Sequence, residues 1–213
     1  MSIRELEEFG WTTYSGVTSD ADLHDLANDL GNPIALSDGT YLKRLEIRKP
    51  QQARTGTFGK KFGEGAYPLH TDTAHWPRPA RLIVLRAAGD LRRPTVIHPF
   101  KRLFTHADDI VRESLGKSVW YSGTTSRRFC CSIRFKCDGH IGCRYDPICM
   151  KPANNSAAII KQYLDSASSL SEAQPFQWKK GTALVLSNWH VLHGRGNRPE
   201  AELSRQISRI YVE

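Results

Sequence analysis

Apolar residues in this chain mostly occur in short runs or alternate with polar residues, which is the pattern of β-strands. Segments of this kind predict strands at Tyr41–Arg48, Leu82–Arg86, Val119–Ser122, Cys131–Phe135, Ile141–Tyr145, Ala183–Leu186 and Ile207–Val212. Many strands with few helices predict a mainly β protein with flanking helices. The expected fold class is a distorted double-stranded β-helix, or jelly roll, whose mouth can hold a ligand.

Three segments instead follow the helical period, and they predict the flanking helices. In Asp20–Leu30 the apolar residues fall on one helical stripe, with Ser19 or Asp20 able to cap the start and Gly31 the end. The other two predicted helices are Ala107–Leu115 and Ala157–Ser168.

Length and composition predict one domain covering residues 1–213. The chain has 213 residues with 39% hydrophobic content, enough for one sizeable core, and no internal repeat or linker is evident. The longest apolar run is far below the roughly 18 residues of a membrane span. The first residues carry Glu5, Glu7 and Glu8 rather than a basic, apolar leader. We therefore expect a cytoplasmic protein with no membrane partner.

Candidate metal chemistry first appears at His70-Thr71-Asp72. A histidine and a carboxylate two residues apart on a strand point to the same face and can coordinate one metal ion. A second histidine, His193, follows the apolar run Gly181–Leu186. Two histidines and one carboxylate form a facial triad with open metal positions, which suits non-haem Fe(II). A histidine that merely lies beside a carboxylate is the alternative for so short a motif.

Two arginines near the end of the chain support a site for anions. On the predicted terminal strand Arg205, Ile207 and Arg209 share one face. Guanidinium groups on an inward face need anionic partners, and their planar fork suits a carboxylate. The alternative is a terminal strand with both charges in solvent.

From about Phe62 to Val212 the order of these landmarks resembles the taurine dioxygenase and clavaminate synthase group of Fe(II)/2-oxoglutarate-dependent oxygenases. Gly65 to Asp72 is similar to the family's approach to its first two ligands, and Pro77 to Arg86 to the strand that follows. The resemblance implies that the iron ligands are His70, Asp72 and His193.

The same resemblance implies how a cosubstrate is bound. Thr95 stands where the family has a threonine that hydrogen-bonds 2-oxoglutarate, and Arg205 where an arginine clamps its distal carboxylate. Arg209 matches a second arginine that faces the keto-acid end or an anionic substrate. The chain departs from the family at Leu91–Pro94, where a Gly-Gly pair is common.

Three further residues are candidates for a substrate pocket, each with a structural alternative. Tyr67 and Trp76 flank the metal motif, but aromatic residues more often pack in a core. Arg144, in a stretch that resembles the family's Arg-Tyr/Phe-Asp, could contact an anionic substrate or form a structural ion pair with Asp146 or another acid.

The implied activity is that of a dioxygenase using Fe(II) with 2-oxoglutarate and O2 as cosubstrates. Asp72, where a small residue would leave room for halide, favours hydroxylation over halogenation. Two alternatives of other classes are a non-catalytic jelly-roll binding protein and a cupin-type metal-dependent isomerase, for which Arg205 would have no purpose.

Charge adds a preference for the substrate. The chain has 30 Lys and Arg against 22 Asp and Glu, a net charge of +8. Such an excess attracts anions, but the basic residues are scattered, which disfavours nucleic acid and hence a nucleic-acid demethylase. We expect a small anionic or zwitterionic metabolite, such as an amino acid or biosynthetic intermediate. The oligomeric state cannot be inferred from the sequence.

The remaining candidates are expected to lie outside the chemistry. The series Cys131, Cys137, Cys143 and Cys149 recurs every six residues, a spacing unlike that of zinc sites, so reduced and buried thiols are expected. Among the other histidines, His75 is predicted on the opposite strand face or in a turn, and His190 is harder to exclude as a ligand. The glycine-rich segment Gln51–Gly65 suggests a mobile lid.

Overall fold

The computed structural model describes residues 3–46, 49–124, 127–166, 172–197 and 206–213. Its strands are β1 (Trp11–Ser15), β2 (Leu42–Glu46), β3 (Tyr67–His70), β4 (Leu82–Ala87), β5 (Leu91–Pro99), β6 (Trp120–Thr124), β7 (Arg127–Cys131), β8 (Arg134–Cys137), β9 (His140–Cys143), β10 (Lys151–Pro152), β11 (Gln174–Trp178), β12 (Thr182–Ser187), β13 (Val191–Arg195) and β14 (Gln206–Val212). The helices are α1 (Ile3–Phe9), α2 (Asp20–Leu30), α3 (Phe58–Phe62), α4 (Phe100–Leu103), α5 (Asp109–Lys117) and α6 (Asn155–Asp165), with a 3₁₀ turn at Pro50–Gln52.

Two antiparallel sheets form the body of the structure. One has five strands in the order β1-β12-β4-β14-β2, and the other has four in the order β11-β5-β13-β3. Apolar side chains of both sheets meet in one buried cluster, with Ile83 and Leu184 from the five-stranded sheet and Ile97 and Val191 from the other. This cluster fills the space between the sheets, and the predicted mainly β architecture is confirmed.

Helices cover the outer faces of this pair of sheets. Leu23 and Ala27 of α2 pack against Val84 and Ile210 on the outer face of the five-stranded sheet. Helices α5 and α6 contribute to a third cluster, which also contains Leu192 of β13. In the described part of the chain no helix is long and apolar enough to cross a membrane.

The predicted bounds of helix α2 and its predicted capping residue are confirmed. The Ser19 side chain accepts from the Asp22 backbone N–H, and the Asp22 carboxylate accepts from the Ser19 N–H, which completes a capping box. Helices α5 and α6 are also confirmed with small shifts in their bounds, although residues 167 and 168 of the predicted third helix lie outside the described residues. Residues 47 and 48 of the first predicted strand lie outside them as well.

The predicted strand at Cys131–Phe135 is wrong, because the chain passes there from a three-stranded sheet, in the order β10-β6-β7, to the two-stranded sheet of β8 and β9. Strand β7 ends at Cys131 and β8 begins at Arg134. The intervening Ile133 is fully buried, and its carbonyl accepts from the Arg144 backbone N–H. The strand predicted at Ile141–Tyr145 ends early, at Cys143. The backbone N–H groups of the next two residues donate hydrogen bonds to acceptors that are not part of a paired strand.

Strands β1, β5, β11 and β13 were not predicted. Pro94 and Pro99 in β5 and Pro175 in β11 lack a backbone donor, which argues against a strand from sequence alone. Strand β13 contains a histidine and a glycine and shows no clear alternation. Pairing with neighbours in the sheet overrides these weak local preferences.

Asp20 ties α2 to the five-stranded sheet. Its Oδ1 accepts from Arg86 at 2.6 Å and from the Ser208 hydroxyl at 2.7 Å, and its Oδ2 accepts from Arg44 at 2.8 Å. Burial acts to raise the pKa of Asp20, but the hydrogen bonds from Arg86 and Ser208 outweigh it and lower the pKa to about 2.

Substitution Asp20→Asn is therefore expected to lower the free energy of unfolding by about 1 kcal/mol at neutral pH, a modest loss because the carboxylate is partly exposed. The folded-state pKa lies below the unfolded value of about 4, so this contribution is complete above pH about 4 and disappears as pH falls towards about 2. Urea unfolding at pH 7 and pH 3 measures it. Asp25→Asn, on the exposed side of the same helix, is the control. An equal loss in both variants would contradict the role of the Asp20 network.

Candidate metal site

Strand pairing brings the two predicted histidine ligands together. His70 is the last residue of β3 and lies directly opposite His193 of β13. Their ring centroids are 4.5 Å apart, and both residues are buried. Register in the four-stranded sheet therefore fixes the separation of the two imidazoles.

Asp72 completes the group from the turn that follows β3. Its Oδ1 lies 3.6 Å from His70 Nε2 and 3.8 Å from His193 Nε2. One ligand atom from each of the three residues lies within 4.8 Å of the others, close enough to hold a metal ion. The prediction that His70 and Asp72 share one strand is wrong, since β3 ends at His70, but the predicted convergence of the three side chains is what the structure shows.

A buried amide holds the turn that carries Asp72. The Asn188 side chain accepts from the Asp72 backbone N–H at 2.8 Å and donates to the carbonyls of Asp72 and Ala80, each at 2.9 Å. Thr73, with a positive φ of 56°, continues the turn, and its hydroxyl accepts from the Ala80 N–H. Asn188 thus joins the Asp72 turn to the chain that leads into His193. Sequence reasoning gave Asn188 no role.

The other oxygen of the Asp72 carboxylate is held by the five-stranded sheet. Oδ2 accepts from Arg209 Nη1 at 2.8 Å and from the Tyr211 hydroxyl at 3.1 Å. Burial acts to raise the pKa of Asp72, but the positive charge of Arg209 and the neighbouring imidazole of His70 outweigh it and hold the pKa well below its usual range. A carboxylate that stays ionised beside two imidazoles is a donor set that fits Fe(II).

The structure bears differently on each of the residues predicted to bind the cosubstrate. Thr95 lies on β5 beside β13, opposite Arg195, and its hydroxyl accepts from the Trp178 indole N–H at 3.0 Å. Thr95 is thus buried on the strand next to that of His193. Arg205 lies outside the described residues, so its position stays a prediction. For Arg209 the structure shows the Asp72 carboxylate as partner, and a contact with a bound anion stays a prediction.

Of the pocket candidates, Tyr67 and Trp76 each contact a residue that in turn contacts the metal group. Trp76 packs its ring against Tyr211 with centroids 5.7 Å apart. The Arg195 guanidinium lies 3.5 Å from the centre of the Tyr67 ring. Tyr67 in turn contacts the ring of Phe58, which is itself packed on His70.

Arg144 stabilises the segment after Asp72. Its two terminal nitrogens donate to the carbonyls of Trp76 and Pro77, both at 3.0 Å, and its guanidinium packs over the Phe135 ring at 4.7 Å. The Asp146 carboxylate accepts backbone N–H groups of its own turn instead. A contact between Arg144 and a substrate stays a prediction.

Two buried arginines that sequence reasoning missed fasten the segment entering β3. Arg195 Nε donates to the Gly65 carbonyl at 2.9 Å, and its Nη2 donates to the carbonyls of Gly63 and Gly65. Arg93 Nη2 donates to the Glu64 carbonyl at 2.8 Å. Burial lowers the pKa of Arg195 to about 10, so it remains charged at neutral pH. One sequence feature could have revealed Arg195: it follows His193 by two residues, so on a strand the two side chains share a face.

Helix α3 covers the His70 side of the group. The Phe58 ring lies 4.2 Å from the His70 ring between centroids, and the Thr57 side chain caps the helix start. The segment Gln51–Gly65, predicted to be a lid, therefore contributes an aromatic cover, and its last three residues are held by the buried arginines. Mobility of this segment stays a prediction.

The other histidine and cysteine candidates lie apart from this group. His75 is in the turn after Asp72, as one of its two predicted placements had it, and His190 Nδ1 lies 2.8 Å from the Ser187 hydroxyl. Among the described residues, the His, Cys, Asp and Glu side chains that meet closely enough for a metal are His70, Asp72 and His193. The five cysteines are free thiols. Of the series predicted to be buried, Cys143 is buried, but Cys131, Cys137 and Cys149 are only partly buried.

Comparison with solved structures places this fold among oxygenases. An asparagine oxygenase in complex with Fe(II), 2S,3S-3-hydroxyasparagine and succinate superposes with a TM-score of 0.79 at 16% identity, over 98% of this chain and 78% of that chain. The PvcB protein from Pseudomonas aeruginosa gives 0.70 at 14% identity, over 98% and 77% of the two chains. OrfP, in complex with Fe and alpha-ketoglutaric acid, gives 0.69 at 15% identity, over 99% and 77%.

These similarities establish the class of fold. The chain has the jelly-roll fold that non-haem iron oxygenases share, which confirms the predicted fold class. No protein-family model matches the sequence, and no curated protein does either. The resemblance in motif order is therefore supported by the fold.

Gly194, between His193 and Arg195 in β13, lies directly against the backbone of β3. A Cβ there would lie 2.6 Å from the Tyr67 carbonyl oxygen and 3.2 Å from that of Pro68. Because backbone cannot move aside cheaply, Gly194→Ala is expected to push β3 away and lower the free energy of unfolding by about 2 kcal/mol. Thermal unfolding measures the change.

Gly116→Ala is the matched control, because a Cβ at Gly116 in α5 meets nothing within 4 Å. That variant is expected to be as stable as wild type or slightly more so, since alanine favours helix. A Gly194→Ala protein as stable as Gly116→Ala would contradict the close approach of the two strands.

Proposed function

We propose that this protein is an Fe(II)- and 2-oxoglutarate-dependent dioxygenase that hydroxylates an unactivated C–H bond of a small anionic or zwitterionic metabolite. The observation that carries the proposal is the group of His70, Asp72 and His193 between the two sheets. Both histidines are buried, the Asp72 side chain is 12% exposed, and Asp72 Oδ1 lies within 4 Å of both imidazoles. Two imidazoles and one carboxylate are the donor set of non-haem Fe(II) oxygenases.

His70, Asp72 and His193 would hold the iron, and Thr95 and Arg205 would hold 2-oxoglutarate. When bound, the iron with its cosubstrates supplies the oxidation, in which substrate, 2-oxoglutarate and O2 become hydroxylated substrate, succinate and CO2. The chain itself supplies orientation. Thr95 lies on the strand next to His193 and on the same inner face as Ile97, which pairs with His193.

The side chains around the metal group would keep water out and position the substrate. Phe58 covers His70, and Tyr67 lies between Phe58 and the Arg195 guanidinium. Trp76 and Arg144 border the segment after Asp72 and are the further pocket candidates. No general base is needed from the protein, because the bound metal and cosubstrate perform the oxidation.

An amino acid is the favoured kind of substrate. The similar structures include an asparagine oxygenase with hydroxyasparagine and succinate bound, and OrfP with succinate and (3S)-hydroxy-L-Arg bound. The net charge of +8 also agrees with a substrate that carries a carboxylate group. Membrane and nucleic acid are not proposed as partners.

Anaerobic titration with Fe(II) and 2-oxoglutarate tests the proposal before any substrate is known. Wild-type protein is expected to develop a weak visible charge-transfer band from a keto acid bound through two atoms, and His70→Ala is expected to lack it because one ligand is gone. His106→Ala, which removes an exposed histidine, should keep the band. No band in folded wild-type protein, or an equal band in His70→Ala, would refute the proposal.

Substitution Arg205→Ala separates an oxygenase from an isomerase or a binding protein with the same fold. Loss of the proposed carboxylate clamp is expected to weaken 2-oxoglutarate binding by about 2 kcal/mol or more, the cost of losing a charged hydrogen-bond partner. The same charge-transfer titration gives the affinity, and Arg54→Ala, an exposed arginine, is the control. Unchanged affinity in Arg205→Ala would contradict the carboxylate clamp and favour the isomerase or binding-protein alternative.

A further inference from the structure

The two oxygens of the Asp72 carboxylate have different surroundings. Oδ1 faces the two imidazole Nε2 atoms at 3.6 and 3.8 Å. Oδ2 faces Arg209 and Tyr211 on the opposite sheet, at 2.8 and 3.1 Å. From this division we infer that Tyr211 is a positioning residue which, with Arg209, keeps Asp72 a one-oxygen metal ligand. The inference rests on the proposed function of this site.

The two donors to Oδ2 occupy both of its hydrogen-bond acceptor positions. A carboxylate oxygen has about two lone-pair directions, and here one N–H and one O–H occupy them. The carboxylate therefore cannot turn its second oxygen towards a metal without breaking both hydrogen bonds. Asp72 is left with Oδ1 as its free oxygen on the side of His70 and His193.

Packing holds the Tyr211 hydroxyl in place. Tyr211 is 5% exposed. The Arg209 guanidinium lies 4.4 Å from its ring centre, and the Trp76 ring packs nearly perpendicular to it with the two ring centroids 5.7 Å apart. In β14 Tyr211 pairs with Ile83 of the central strand β4. The Tyr211 phenol carries one O–H donor, and in this position Asp72 Oδ2 is its acceptor.

This arrangement matters for the number of open metal positions. Two imidazoles and one carboxylate oxygen leave three positions on a six-coordinate metal, enough for a keto acid bound through two atoms and for O2. A carboxylate bound through both oxygens would take one of the three. Tyr211 would thus preserve the position that the reaction requires, without touching metal or substrate itself.

The test compares Tyr211→Phe with Tyr163→Phe, using Co(II) as a spectroscopic probe. Each variant loses one hydroxyl hydrogen bond and keeps its ring; the Tyr163 hydroxyl donates to the Leu103 carbonyl at 2.7 Å in another core cluster. Tyr211→Phe is expected to bind Co(II) about tenfold more weakly, the usual cost of losing a partner of a metal ligand. Its visible Co(II) bands should also change shape, and 2-oxoglutarate should perturb them less than in wild type.

Tyr163→Phe is expected to match wild type in all three measurements. Thermal unfolding of each protein checks that the fold is retained. Should Tyr211→Phe fail to fold, Trp76→Phe tests the same idea, because it loosens the packing of the Tyr211 ring and leaves the hydroxyl present. It is expected to weaken Co(II) binding by a smaller factor, about threefold.

The outcomes separate the two proposals. Wild-type protein that binds no Co(II), or binds it equally in His70→Ala, overturns the proposed function and this inference with it. Wild-type protein that binds Co(II) through His70, together with unchanged affinity and bands in Tyr211→Phe, overturns the role of Tyr211 and leaves the proposed function standing. Weaker binding with unaltered bands assigns Tyr211 to stability alone and also overturns its positioning role.

Discussion

The structure around the site depends on one carboxylate, Asp72, whose side chain is only 12% exposed. A carboxylate that is largely removed from water stays ionised only where cations and hydrogen-bond donors surround it. The structure supplies Arg209 and Tyr211 on one oxygen and two imidazoles near the other. The negative charge is therefore compensated before a metal enters, and the carboxylate has one oxygen turned to each sheet.

The two sheets divide the work of building the site. The four-stranded sheet sets the distance between His70 and His193 through strand pairing, while β14 of the five-stranded sheet carries the donors to Asp72. Neither sheet holds the complete group, so the site forms when the two pack together over their apolar cluster. Asn188 then fixes the turn of Asp72 to the backbone next to β13. Such support from packed strands keeps ligand side chains in place better than a free loop would.

Buried arginines recur around this centre and serve different purposes. Arg195 and Arg93 bind backbone carbonyls of the segment Gly63–Gly65, Arg144 binds those of Trp76 and Pro77, and Arg209 binds Asp72. A guanidinium has five N–H donors, so one arginine can donate hydrogen bonds to several backbone carbonyls in the loops on either side of β3. Part of the positive charge of the chain is therefore structural, and it borders the metal group from several directions.

Periodicity in the sequence was sufficient for helix α2 and for β4 and β14, because their apolar residues follow one regular pattern and their caps are local. The grouping of His70, Asp72 and His193 was also predictable, since residue type and order carry that information. Strands β5 and β13 were not, because proline, glycine and histidine hide a strand whose stability comes from its neighbours. The partners of Arg209, Arg144 and Tyr211 were decided by tertiary structure alone. Which carbonyl or carboxylate a buried donor meets depends on the packing of segments distant in sequence, and no local pattern encodes it.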